Sequence, residues 1–279
     1  MKHYIVILTI ILFSPLLATA SSTQKRLDAD IKAGNPVVIH VSVALADNIN
    51  QWIVPVPESI GNGQSPRTNL YWGALYGVKT YMIKKAGWKK IATPESQNPK
   101  ILERLILTKT FLRKGENVTI YLVADAWDGK YITDTIEKFM SFNAGHEPQP
   151  FTISGQKFKA GGNAHLICYI GHNALMDYGG MKKLFFPQIK PAKNNQVNDA
   201  IILACKSSPY FSTDLKKLKA HPLLLTNGLM APEAYSLDSA IGAWIKGASD
   251  NDVRKAAAKS YHKYQKSGLR GAKWLFGVK

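Results

Sequence analysis

Cysteine and acidic residues are both scarce in this chain. Two cysteines, Cys168 and Cys205, serve 279 residues, and 19 Asp and Glu stand against 36 Lys and Arg. So few cysteines exclude a disulfide-stapled small fold and any zinc site built on paired Cys-x-x-Cys. There is no HExxH, and His40, His146, His165, His221 and His262 show no metal-ligand spacing. No GxGxxG and no P-loop occurs, so nucleotide binding has no support, and the serine-hydrolase elbow GxSxG is missing too. No cofactor is expected. Arginine-rich tracts and nucleic-acid motifs are also absent, so no specific nucleic-acid partner is expected despite the formal charge of +17. The lysines are widely spread. They read as solubility and weak adhesion, with an anionic envelope polymer as the partner that such a charge would favour.

Long hydrophobic runs are confined to the start. Tyr4 to Leu17 is almost wholly apolar behind Lys2 and His3, and Ala18-Thr19-Ala20 supplies small residues for cleavage. That is the pattern of a secretory signal over residues 1–20, which predicts an exported chain, periplasmic or secreted. Cleavage removes one charged residue, Lys2, so the excess of positive charge survives it. No later run has the length of a transmembrane helix. The remainder, 21–279, reads as one domain.

Within it, apolar runs alternate with helical patterns. Strands are expected near 37–45, 117–124, 164–170, 199–204 and 222–226, and a hairpin near 151–158 turns at Ser154-Gly155. Helices are expected over 69–85, 131–143, 212–220, 237–247 and 251–267, and residues 102–111 read as a further strand or hairpin arm. A long loop with Pro55, Pro57, Gly61, Gly63 and Pro66 follows the first strand and carries Arg67. The alternation predicts an α/β fold with a mostly parallel central sheet flanked by helices.

Two of these strands end in reactive side chains. Leu166 to Ile170 leads to Gly171-His172-Asn173, and Ala200 to Ala204 leads to Cys205. Open α/β sheets place their chemistry at strand ends. A thiol nucleophile needs a base to take its proton and later to protonate the leaving group, and a neighbouring strand ending in histidine supplies one. An oxidising compartment would instead favour a Cys168–Cys205 disulfide. If the strands are parallel neighbours with His172 level with Cys205, Cys168 lies four residues back. That is roughly 13 Å along the strand, beyond the roughly 7 Å that a disulfide's Cα atoms permit.

The pattern Leu166-Ile167-Cys168-Tyr169-Ile170-Gly171-His172, then Ile201-Ile202-Leu203-Ala204-Cys205, resembles the caspase-like cysteine peptidases: caspases, legumains, gingipains and separases. The resemblance rests on these two strands and extends at lower specificity over most of 21–279. It implies a caspase-like three-layer sandwich and a peptide or protein substrate, with His172 as general base and acid and Cys205 as nucleophile. An oxyanion would be held by the backbone N–H groups of Asn173 and Cys205. The family has Gly after the His. Here Asn173 stands there, and Asn is the non-glycine residue that best tolerates positive φ. The family selects substrate by charge beside the dyad. Asp125, Asp128 and Asp177, read as loop residues, and Glu233 are candidates for a pocket taking Arg or Lys, whereas Arg67 would favour an acidic side chain. Two other readings stand: a catalytically silent domain of this type that binds a peptide or envelope partner, and a basic surface-binding module.

Overall fold

The computed structural model describes residues 22–177, 186–193 and 196–279. The expected signal segment and part of the loop before the Cys-bearing strand lie outside them.

Helix α1 (Ser22–Lys32) leads into strand β1 (Val37–Ala44). Helix α2 (Val78–Lys84) follows the long loop, and then come β2 (Lys89–Ala92), β3 (Ile101–Arg113) and β4 (Glu116–Trp127). Helix α3 (Ile132–Asn143) precedes a hairpin of β5 (Pro148–Ile153) and β6 (Gln156–Gly161). The chain returns through β7 (Leu166–Ile170), β8 (Asp199–Leu203), α4 (Ser207–Lys217) and β9 (His221–Leu224). It closes with α5 (Ala234–Ile245), α6 (Asp250–Gln265) and α7 (Leu269–Leu275).

The seven-stranded sheet runs β2-β3-β4-β1-β7-β8-β9. From β4 to β9 every pair is parallel, and β2 and β3 add an antiparallel margin. The expected mostly parallel α/β fold is the one present. Strands β1, β7 and β8 are buried along their whole length, which their near-continuous apolar sequences require. One face, with Ile39, Val41, Cys168, Ile170, Ile201 and Leu203, packs against α1, α2, α5, α6 and α7. The other, with Val123, Ile167, Tyr169 and Ile202, packs against α3, α4 and the β5–β6 hairpin. The result is a three-layer sandwich.

Both hairpins turn where the backbone can take positive φ at two successive residues, Lys114-Gly115 between β3 and β4 and Ser154-Gly155 between β5 and β6. Four elements differ from expectation. The helix expected over 69–85 shrinks to α2. Its first half is a set of tight turns, because Asn69 turns inward to bond the Ala46 backbone instead of capping a helix. A Cβ at Gly73 would come within 2.0 Å of the Arg67 carbonyl oxygen, so only glycine lets these turns pack. Strand β2, short and Lys-rich as suits a sheet edge, has no counterpart among the expected strands. Strand β4 continues to Trp127, three residues beyond its expected end, because β3 runs alongside it. Helix α4 starts at Ser207 rather than Ser212, directly behind Cys205. Thr226 satisfies its first two N–H groups, through its hydroxyl to Ser207 (3.2 Å) and its carbonyl to Ser208 (2.9 Å), and Pro209 needs no partner in a first turn.

Among the described residues no helix is long and apolar enough to cross a membrane.

Candidate active site

Strands β7 and β8 pair in parallel with Ile170 opposite Leu203. The same offset, carried two residues past both strand ends, sets His172 level with Cys205. This is the register assumed from sequence. Cys168 lies opposite Ile201, four residues behind Cys205, and both cysteines are free thiols. Cys168 is fully buried, and burial pushes its thiol well above the usual range. Cys205 is half-buried. Of the two, Cys205 is therefore the thiol placed to react.

Each chain turn at this pole has a local cause. Gly171 bonds its N–H to the Leu203 carbonyl (3.3 Å) and sits at φ +156°. A Cβ there would press on Ala44 and the Tyr169 hydroxyl, each 3.0 Å away, so glycine is what lets the chain leave β7 beside β1. The Tyr169 hydroxyl, at the buried end of β7, donates to the His172 carbonyl (2.7 Å) and fixes the backbone that carries the imidazole. The imidazole is largely buried, and its Nε2 is hydrogen-bonded to the Asp177 carboxylate across the single helical turn Ala174–Met176. That leaves Nδ1 as the ring nitrogen free to act elsewhere.

Asn173 is fully buried. Its side-chain amide donates to the Cys205 carbonyl (2.7 Å), and its carbonyl oxygen accepts from Leu175 (3.2 Å). It sits at φ −92°, so the left-handed conformation that the sequence suggested for this position is not used. Among the described residues, neither the Asn173 nor the Cys205 backbone N–H takes part in a hydrogen bond. The Cys205 thiol meets Met230 from both sides, accepting from its N–H (3.4 Å) and donating to its carbonyl (3.6 Å). Tyr71 and Tyr261 lie close by. Burial first, and then the charges of Cys205 and Glu233, raise both phenols, while the Ala231 N–H bonded to Tyr261 partly offsets this.

The expected pocket residues are placed differently. Asp125 is no loop residue. It lies inside β4, fully buried, and takes two 2.6 Å hydrogen bonds from the Arg104 guanidinium, with His40 Nε2 at 3.3 Å. Burial alone would raise this carboxyl, but Arg104 and His40 outweigh it and hold it below the ordinary range. Asp128 is 4% exposed and accepts from Gln64 (2.7 Å) and the Lys130 N–H (3.1 Å). Glu233 is 8% exposed and accepts from Tyr235 (2.6 Å) and Gln265 (2.9 Å). Asp125 and Asp128 are thus engaged through both oxygens, whereas Glu233 takes both its bonds on one oxygen, and its charge reaches Tyr71 and Tyr261 beside Cys205. Asp177 does stand at the site, but as the partner of His172. Arg67 is exposed on the loop after β1.

No protein-family model matches this chain, and no curated protein matches it in sequence.

Three contributors had escaped sequence reading: Tyr169, Thr226 and Met230. A tyrosine inside a buried strand carries a legible signal, since its hydroxyl must find a partner. Thr226 and Met230 act through tertiary contacts that no local pattern announces. Among the described residues, no three His, Cys, Asp or Glu side chains gather as metal ligands.

Proposed function

We propose that this chain is an exported cysteine endopeptidase of caspase-like type, with Cys205 as nucleophile and His172 as general base and acid. The observation that carries the reading is the β7–β8 register. Carried past the strand ends, it sets the backbone of His172 level with that of Cys205, and the Asn173 amide ties the two strand ends through the Cys205 carbonyl. The Asp177 carboxylate holds Nε2, which leaves Nδ1 to take the thiol proton. The thiolate attacks a peptide carbonyl. The tetrahedral oxyanion is met by the Asn173 and Cys205 backbone N–H groups, both free of other acceptors among the described residues. His172 then protonates the departing amine, leaving a thioester. Water, deprotonated by the same imidazole, hydrolyses the thioester and restores the thiol.

The test joins thiol reactivity to turnover. Iodoacetamide at neutral pH is expected to label Cys205 and spare Cys168, as read by peptide mass spectrometry. His172→Ala is expected to slow that labelling by about 100-fold. A peptide library should be cleaved by the native chain and left intact by Cys205→Ala. Equal labelling of both thiols, or a rate indifferent to His172, would overturn the dyad. Selective labelling without cleavage of any library peptide would favour the silent, peptide-binding reading.

A further inference from the structure

The loop after β1 carries a feature that the proposed chemistry does not use. Within six residues Ile49, Trp52 and Val54 are 90%, 79% and 87% exposed. Isolated exposed apolar side chains are common. Three large ones clustered on one short loop are not, and such patches mark contact sites.

The loop is built to hold them outward. The Asn48 side chain clasps its two ends, donating to the Val56 carbonyl (2.7 Å) and accepting from the Val56 N–H (3.1 Å). Asp47, fully buried at the end of β1, accepts from the Ile49 and Asn50 N–H groups (3.0 Å each) and from the Asn50 side chain (2.8 Å). Gln51 points inward and donates to the Leu45 and Gly129 carbonyls (2.8 Å each). Ile53 packs against the core. Alternate residues are thus anchored and presented, and Pro55 and Pro57 stiffen the descending arm.

Exposures near 80–90% decide the shape of the partner. A residue that lines a groove for a peptide is half-covered by its own protein. These three protrude, and a protruding apolar tip fits a partner that can flow around it. The charge of the chain points the same way. The formal charge is +17; exposed Arg67 stands two residues from Asn69, which bonds Ala46 at the base of this loop, and exposed Lys130 follows Gly129, which Gln51 bonds, its ammonium 3.4 Å from Asp128, while Glu58 is the exposed acid just beyond the loop. An apolar tip bearing tryptophan on a cationic body is the combination that seats a peripheral protein on anionic lipid.

We infer that the 48–56 loop is a membrane-docking tip, which inserts Ile49, Trp52 and Val54 into the interfacial layer of an anionic lipid bilayer. This is independent of the catalytic reading. The test is co-sedimentation of the chain with phosphatidylcholine vesicles, with and without phosphatidylglycerol, at low and at raised salt. The native chain is expected to bind the phosphatidylglycerol vesicles and to keep part of that binding at raised salt, since insertion is not screened. The triple variant Ile49→Ser, Trp52→Ser, Val54→Ser is expected to bind roughly ten-fold more weakly or worse, with circular dichroism and thermal midpoint unchanged. Brominated lipid should quench the native fluorescence, and Trp52→Ser alone should abolish most of that quenching. The inference is overturned if native chain and variant bind alike, which would mean charge alone, or if the native chain does not bind. It is equally overturned if sedimentation velocity shows a dimer that the triple variant dissolves, which would make a second copy the occupant.

Discussion

Asp199 opens β8 at the pole opposite Cys205, and its substitution by asparagine tests the electrostatics of the sheet. The carboxylate is 1% exposed and accepts a 2.7 Å hydrogen bond from the Trp244 indole, with the Thr23 hydroxyl beside it. Burial pushes the carboxyl up from 3.8 to about 6, against the opposing Trp244 bond and the positive charge of nearby His221. A raised folded value means that the folded state holds the proton more tightly than the unfolded chain. The favourable term is therefore fully present below pH ~4 and lost as pH rises towards 6. At pH 7–8 the ionised group costs about 3 kcal/mol, at 1.36 kcal/mol per unit. Asp199→Asn removes this titration. The amide oxygen can keep the Trp244 bond, and the new buried N–H2, with the Thr23 hydroxyl as its neighbour, takes back about 1 kcal/mol. The expected gain at pH 8 is about 2 kcal/mol, or roughly 4–8 °C in Tm for a chain of this size. Urea unfolding of both proteins from pH 4 to 8 measures it. The native chain should lose stability between pH 4 and 6 relative to the variant. Parallel profiles, or a variant less stable at pH 8, would refute the reasoning.

Two other substitutions probe the sheet and the site. Arg104→Leu strips the buried Asp125 of both short hydrogen bonds, and should cost about 3–5 kcal/mol. The carboxyl of Asp125 is held low, so the stability it contributes is present above its ordinary pKa and lost on acidification. Leu at both positions should recover most of the loss in urea titrations, and a single-variant loss below about 1 kcal/mol would contradict a desolvated pair. Asn173→Ala removes the bond to the Cys205 carbonyl and the cap on Leu175. It should lower stability by about 1–3 kcal/mol and change the iodoacetamide rate at Cys205. A variant unchanged in both would mean that Asn173 does not tie the strand ends together.

The central strands were legible because each is a short apolar run, rich in Val and Ile and too short for a buried helix, as a strand buried on both faces requires. The His172–Cys205 register was legible for the same reason, since two consecutive parallel strands leave little freedom in their offset. The stretch before α2 misled because Leu70, Ala74, Val78 and Met82 fall at helical spacing, whereas Asn69 and Gly73 make contacts that only a folded loop provides. Helix α4 was placed five residues late because its first turn is capped from Thr226, nineteen residues beyond Ser207.

The acids are the more instructive case. A carboxylate near a strand end reads the same in sequence whether it faces a substrate or is already satisfied. Satisfaction is a tertiary property. The apolar run ends at Ala124, so Asp125 reads as a loop residue, but β4 runs on because β3 pairs with it and brings Arg104 opposite. Asp128 is bound by Gln64 from the loop after β1, and Glu233 by Tyr235 and Gln265 from α5 and α6. Asp177, beside His172, is engaged by the imidazole. With Asp125, Asp128 and Asp177 engaged inside the protein, Glu233 is the one of the four expected acids whose charge reaches the tyrosines beside Cys205.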